Sequence, residues 1–292
     1  MSHKSGFVNI IGRPNVGKST LLNQFIGQKM AIVTHKPQTT RHRILAVISE
    51  DDYQIVFSDS PGIVKDPGYE LHRSLNSSAF SSFEDADVLL MMTDDRDELD
   101  TQPNLVQRLE NLEVPRYLVI NKIDRMDESR LEEIESYWAK LISIDAIFKI
   151  SARDAINTSP LFDEIKNNLP DGPAYYPKDQ LTDRNERFFV TEIIREEILL
   201  QFRQEIPYAC EVAIETYQEE DHITRIAALI FVSRKTQKGI IIGKAGSAIK
   251  KLGTAARLKI EKFLETKVYL ELHVKVKKDW RDDQNMLRRF GY

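Results

Sequence analysis

Eight residues near the N-terminus, Gly12-Arg13-Pro14-Asn15-Val16-Gly17-Lys18-Ser19, fit the pattern G-x-x-x-x-G-K-[ST]. They follow Phe7-Val8-Asn9-Ile10-Ile11, a short apolar run that reads as a strand, and lead into Thr20-Leu21-Leu22-Asn23-Gln24-Phe25, which reads as a helix start. Strand, glycine-containing loop and helix in that order make the match a phosphate-binding loop rather than a glycine turn followed by a lysine. Gly12 and Gly17 let the backbone curl until successive N–H groups point inward at phosphate oxygens, and the helix N-terminus adds partial positive charge. On this reading Lys18 reaches the β- and γ-phosphates and the Ser19 hydroxyl holds Mg²⁺. Arg13, Pro14, Asn15, Val16 and Thr20 complete the cradle.

The base is read further along. Arg116-Tyr117-Leu118-Val119-Ile120 is apolar enough for a buried strand and ends in Asn121-Lys122-Ile123-Asp124. A carboxylate at that strand end accepts hydrogen bonds from N1–H and N2–H₂ of guanine. Adenine offers no such donor pair and would leave the carboxylate unpaired, so Asp124 selects guanine. Asn121 is expected to tie this loop to the phosphate loop, with the Lys122 stem lying over the base. Ser151-Ala152-Arg153 follows another apolar run, Ile147-Phe148-Lys149-Ile150, and fits a last base-contacting loop in which a backbone N–H meets the base oxygen.

Two pieces fall between these. Gln54-Ile55-Val56-Phe57-Ser58 reads as a strand ending in Asp59-Ser60-Pro61-Gly62, a D-x-x-G loop. Asp59 is expected to hold Mg²⁺ through water, and the Gly62 N–H to meet the γ-phosphate. Upstream, Gln38-Thr39-Thr40-Arg41-His42-Arg43 supplies a hydroxyl for Mg²⁺; Thr40, directly before the arginine, is the choice and Thr39 the fallback. Lys18, Thr40 and Gly62 are thus the expected catalytic residues. Ile63 follows Gly62, where many GTPases carry a glutamine that orients the attacking water. An isoleucine cannot do so, leaving backbone groups, a monovalent cation or a partner. The Asn15 side-chain oxygen is the candidate K⁺ ligand; the alternative is that Asn15 braces the loop.

GRPNVGKST, QTTRHR, DSPG, NKID and SAR in this order resemble the Era group of bacterial ribosome-associated GTPases. The resemblance runs nearly to the C-terminus, taking in Lys278-Asp279-Trp280-Arg281 and Leu287-Arg288-Arg289-Phe290-Gly291-Tyr292. The usual third motif is Asp-Thr-Pro-Gly; Ser60 departs from it while Asp59 and Gly62 keep the chemistry. The resemblance implies a GTP/GDP switch that binds the 3′ end of small-subunit (16S) ribosomal RNA and acts in assembling that subunit.

With 292 residues, two domains are expected. The single cysteine, Cys210, cannot form an internal disulfide and fits a reducing cytosol. No secretory leader is read, and no apolar run nears the roughly 18 residues that span a bilayer. The expected location is cytoplasmic, with weak peripheral contact at the inner face of the cell membrane as an addition. The net charge of −4 hides a division: Ile223 to Tyr292 holds 17 Lys/Arg against 6 Asp/Glu, leaving the other 222 residues at −15. Such asymmetry marks an end that meets nucleic acid or an anionic surface.

Pro160–Leu169 reads as the last helix of the first domain, and the proline-rich stretch beginning at Pro170-Asp171-Gly172-Pro173 breaks regular structure. The expected division is a GTPase domain over 1–172, a linker over 173–186 and a second domain over 187–292. Apolar residues at helical spacing from Thr191 to Gln204 predict a helix. Two alternating strands follow, one with Cys210, Val212 and Ile214 opposite Glu211 and Glu215, the other with Ile226, Ala228, Ile230 and Val232. Next comes an apolar helical frame holding Ile242-Gly243-Lys244-Ala245-Gly246, then a further helix over Thr254–Glu265 and a strand from Val268 to Val276. That order is the order of an α+β type II KH domain, so the expected fold is a Ras-like α/β P-loop GTPase domain followed by a KH domain.

The G-x-x-G turn suits RNA. Gly243 and Gly246 admit a single-stranded backbone close to a helix N-terminus, Lys244 lies between them, and Lys250 and Lys251 flank the groove to neutralise phosphates. Ile240, Ile241, Ile242 and Ile249 are expected to floor it. A membrane-associated signalling GTPase would need only charge and no phosphate-sized groove, and an ATP-dependent metabolic enzyme is opposed by Asp124. The expectation is therefore a monomeric, Mg²⁺-dependent GTPase, slow without a partner, that binds ribosomal RNA and the small ribosomal subunit but no DNA.

Overall fold

The computed structural model describes residues 3–34, 36, 38–97 and 103–292. The chain divides into two compact units. The first takes in Thr40–Pro67, His72–Asp183 and the N-terminal stretch up to Val33; the second takes in Arg184–Tyr292 with the short segments Thr34–Thr39 and Gly68–Leu71.

In the first half of the chain the elements are β1 (Lys4–Gly12), α1 (Lys18–Ile26), β2 (Ile44–Ser49), β3 (Tyr53–Asp59), α2 (Glu70–Ser81), β4 (Val88–Thr93), α3 (Pro103–Glu110), β5 (Arg116–Asn121), α4 (Glu128–Leu141), β6 (Ala146–Ile150) and α5 (Thr158–Asn167). The strands form one sheet in the order β2-β3-β1-β4-β5-β6, parallel except for β2, which runs antiparallel to β3. Every residue of β4, and all but the first of β3 and β5, is buried. Covered on both faces, such strands are uninterrupted apolar runs, as parallel strands in α/β folds are. The chain places β2 and β3 on one side of β1 and then β4 on the other, a reversal that opens a crevice at the carboxyl ends of the strands. Gly12, Asp59, Asn121 and Ile150 end β1, β3, β5 and β6 there, so all the motif loops leave the sheet from one edge.

The second unit is built from α6 (Glu186–Gln201), β7 (Cys210–Glu220), β8 (Ile223–Val232), α7 (Lys235–Ile242), a short turn of 3₁₀ helix at Lys244–Gly246, α8 (Ser247–Leu264), β9 (Lys267–Val276) and α9 (Gln284–Arg289). Its sheet runs β7-β8-β9, antiparallel then parallel. Ile194, Ile198, Cys210, Val212, Ile226, Ala228, Ile230, Leu252, Ala256 and Ile260 form its core.

Four expectations are corrected here. The helix expected from Thr191 begins at Glu186, where the Asn185 side chain accepts the Phe188 N–H and caps it. The helix expected from Thr254 is the continuation of α8, which starts directly after the G-x-x-G turn. A β-bulge shifts the pairing of β7 between Ile214 and Thr216, so Glu215 is the inserted residue. Glu211, expected on an open face, is buried: the Tyr292 hydroxyl donates to its Oε2 at 2.6 Å. The C-terminal segment covers that face, with Trp280 Nε1 donating to the Ala209 carbonyl at 3.0 Å and Phe290 packed on Phe231 and Trp280.

Candidate nucleotide and RNA sites

The Lys18 ammonium is buried at the first turn of α1 and donates to the carbonyls of Gly12 at 3.1 Å and Arg13 at 3.0 Å. Burial lowers its pKa to about 8, against the pull of the Asp59 and Asp94 carboxylates. Burial disfavours the charged form of this lysine, so an arriving anion that stabilises the ammonium offsets that cost. Arg13 donates to the Arg96 carbonyl at the rim, and Asn15 holds a left-handed φ of 66°.

Three oxygens meet at the α1 N-terminus. Ser19 Oγ donates to Asp59 Oδ2 at 2.6 Å and lies 2.9 Å from Thr40 Oγ1, which reaches the same carboxylate oxygen at 3.3 Å. Asp59 is fully buried, and burial raises its pKa against the opposing effects of Lys18, Ser19 and Thr40. Its second oxygen, Oδ1, is buried with no hydrogen-bond partner. Two hydroxyls and a carboxylate with one oxygen unpartnered are a donor set suited to a hard divalent cation. Thr39 is differently placed: its hydroxyl donates to the Lys36 carbonyl at 2.6 Å and meets Thr34 Oγ1 at 2.8 Å. Ser60 is buried with its hydroxyl on the Ile10 carbonyl at 2.9 Å, and Pro61 and Gly62 follow in the same buried turn.

Asn121 joins the loops around this centre. Its Nδ2 donates to the Val16 carbonyl at 2.7 Å, and its Oδ1 accepts the Ala152 N–H at 2.9 Å. Lys122 donates to the Asn15 carbonyl at 2.8 Å and pairs with Asp94. Asp124 accepts from Ser151 Oγ at 3.0 Å and from Arg153 Nη2 at 3.1 Å, so the base loops converge on its carboxylate. Asp94 was missed by motif reading. It is buried, directly follows β4 and holds Lys122; the signal was an aspartate closing the apolar run Val88-Leu89-Leu90-Met91-Met92-Thr93. Ile63 is buried and belongs to the hydrophobic core cluster of the first unit.

In the second unit Gly243 has φ 74°, and a Cβ there would lie 2.6 Å from the Ala248 Cβ, so glycine is required both by the turn and by the approach of α8. Ala245 adopts φ 50° and Gly246 caps α8 in the left-handed region. Lys244, Ala245, Lys250 and Lys251 line the turn and the first turns of α8, where the helix N-terminus also favours anions. Ile242 and Ile249 are half-buried against the core, and Ile240 is half-exposed. Ile241, expected in the groove floor, is instead wholly buried in the core, because it lies on the inner face of α7.

Residues 7–122 match the family model described as 50S ribosome-binding GTPase, and residues 205–281 match the KH domain model. A GTPase Era of Syntrophus aciditrophicus is 43% identical over 292 residues, covering 99% of this chain and 95% of that protein. A crystal structure of Era in complex with MgGDPNP and nucleotides 1506–1542 of 16S ribosomal RNA superposes with a TM-score of 0.93 at 37% identity, covering 99% of each chain. A single-residue variant of Aquifex aeolicus Era bound to GDP·AlF₄⁻ superposes with a TM-score of 0.90, also at 37% identity and over 99% of each chain.

Proposed function

This chain belongs to the Era family of GTPases, and from that premise we propose that it is a GTP-hydrolysing switch whose KH unit binds the 3′ segment of 16S ribosomal RNA during small-subunit assembly. The observation that carries the nucleotide half is the meeting of Ser19, Thr40 and Asp59 beside Lys18. The Ser19 and Thr40 hydroxyls would hold Mg²⁺, with Asp59 binding it through water; when bound, the ion neutralises phosphate charge as it develops. Lys18 exchanges its loop carbonyls for phosphate oxygens. Gly62 presents its N–H to the γ-phosphate, while Asp124 accepts from the guanine edge and Asn121 keeps the two loops in register. Phosphoryl transfer needs positioning and charge stabilisation more than covalent chemistry from the protein.

Thr40 and Gly62 respond to the γ-phosphate and relax once it leaves, the usual order–disorder switch of such loops. Lys244, Lys250 and Lys251 neutralise the RNA backbone at the G-x-x-G turn. The same basic surface supports weak peripheral contact with anionic lipid, and the protein acts as a cytoplasmic monomer. Among the described residues no helix is long and apolar enough to cross a membrane. The direct test is phosphate release from GTP and from ATP with Mg²⁺ or with EDTA. Release from GTP alone, abolished by EDTA, is expected; equal release from ATP would overturn the guanine assignment.

Asn15 is the proposed ligand for K⁺, its backbone set in the loop by the Lys122 bond to its carbonyl. Replacing K⁺ with Na⁺ should slow hydrolysis, and Asn15→Ala should erase the difference. A wild-type rate identical in the two salts would remove the potassium assignment and leave the GTPase in place.

A further inference from the structure

The residue that commonly orients water is replaced by Ile63, whose side chain is buried in the core, so the groups left near the reacting phosphate after Asp59 are backbone groups. That backbone is held at three points. A Cβ on Gly62 would lie 2.5 Å from the Pro14 nitrogen, so Gly62 lies directly against the phosphate loop. The Ile63 N–H donates to the Gly12 carbonyl at 3.3 Å. Val64 is then gripped from both sides by one side chain: its N–H donates to Asn76 Oδ1 at 2.8 Å, and Asn76 Nδ2 donates to its carbonyl at 2.8 Å. A carboxamide used in this way mimics a neighbouring strand. It projects from α2, which Leu75 and Ala79 fix in the core, so the clamp is mounted on a rigid element.

Asn76 belongs to none of the nucleotide motifs. We infer that it is a positioning residue for hydrolysis: by holding Val64 it sets the direction of the Gly62 and Ile63 backbone, which must serve where no glutamine side chain is present. The inference rests on the GTPase reading of the site. It requires Asn76 to govern turnover without governing GDP affinity, because the groups named above that would hold GDP stay in place when Asn76 is changed and only the γ-phosphate-facing backbone at Gly62 and Ile63 loses its support.

The experiment uses the full chain and the variants Asn76→Ala and Asn76→Asp; alanine is a better helix former than asparagine, so α2 is retained. Steady-state GTP hydrolysis, GDP titration and amide exchange at Val64 are measured together. For Asn76→Ala, kcat should fall about tenfold, with KM and GDP affinity within about twofold of wild type and faster exchange at Val64. Asn76→Asp keeps the acceptor for the Val64 N–H but sets a carboxylate oxygen against its carbonyl, so its kcat should also fall well below wild type. An unchanged kcat despite faster Val64 exchange overturns the inference. So does a loss of GDP affinity in step with kcat, which would make Asn76 merely a support of the fold. A wild-type protein that bound no GDP in the same titration would fail the GTPase reading itself, and the inference with it.

Discussion

Asn121 Nδ2 donates to the carbonyl of Val16 across 105 residues of sequence, at 2.7 Å and out of contact with water. With the Ala152 N–H on its other side-chain atom, one asparagine fastens the phosphate loop to both base-reading loops. Asn121→Ala leaves a buried carbonyl and a buried N–H without partners, each costing about 1–3 kcal/mol. GDP affinity should fall at least about tenfold and the melting temperature by several degrees, since about 1 kcal/mol shifts a domain of this size by roughly 2–4 °C. Calorimetric titration and a thermal melt check both, and wild-type GDP affinity in the variant would show that the tie is not needed.

Asp124 is already engaged by Ser151 and Arg153, which leaves its carboxylate oriented toward the site. Asp124→Asn should weaken GTP binding by about 1.5–3 kcal/mol, the worth of a hydrogen bond to a charged group, and favour xanthosine triphosphate, whose base has a carbonyl where guanine has an amino group. Competition between the two nucleotides is the readout. Unchanged preference for GTP would remove Asp124 as the base reader.

Lys18 gives a pH signature. Its pKa falls from 10.5 to about 8 on folding, so between those values the unfolded chain holds a proton that the folded protein lacks. This contribution therefore makes folding more favourable as pH rises through that window. Phosphate oxygens act the other way, stabilising the ammonium, so GDP binding at about pH 9 should take up a proton and binding at about pH 7 should take up almost none. Calorimetry in buffers of different ionisation enthalpy reads this directly, and Lys18→Met should abolish the uptake. Equal proton uptake at both pH values would mean that Lys18 is not the group responding to phosphate.

Much of this was legible because phosphate and guanine chemistry force particular residues to the ends of particular strands. The strands at Phe7–Ile11, Gln54–Ser58, Arg116–Ile120 and Ile147–Ile150 all lie within observed strands of one sheet. The choice of Thr40 over Thr39 rested on its position before Arg41, and in the structure the Thr40 hydroxyl meets Ser19 and Asp59 while that of Thr39 turns to Lys36 and Thr34. What was not read has tertiary causes. β2, β4 and helices α2 to α4 carry none of the motifs, so nothing in the motif pattern marked them. Glu211 looked like an outward residue of an alternating strand, but Trp280, Phe290 and Tyr292 return from the end of the chain to cover it. Asp94 and Asn76 act on backbone and side-chain groups from neighbouring elements, a relationship that no short motif records.

We propose that one chain carries two chemically separate sites, a nucleotide crevice and an RNA-binding G-x-x-G turn. The most direct test is the double variant Lys244→Asp/Ala245→Asp, titrated with a fluorescent oligonucleotide of the 16S 3′ end and, in parallel, with GDP. Neither position belongs to the core, so packing is untouched. RNA affinity should fall steeply, wild-type affinity should itself decline with salt as counterions are released, and GDP affinity should stay at the wild-type value. A folded variant that bound the RNA as wild type does would contradict the account.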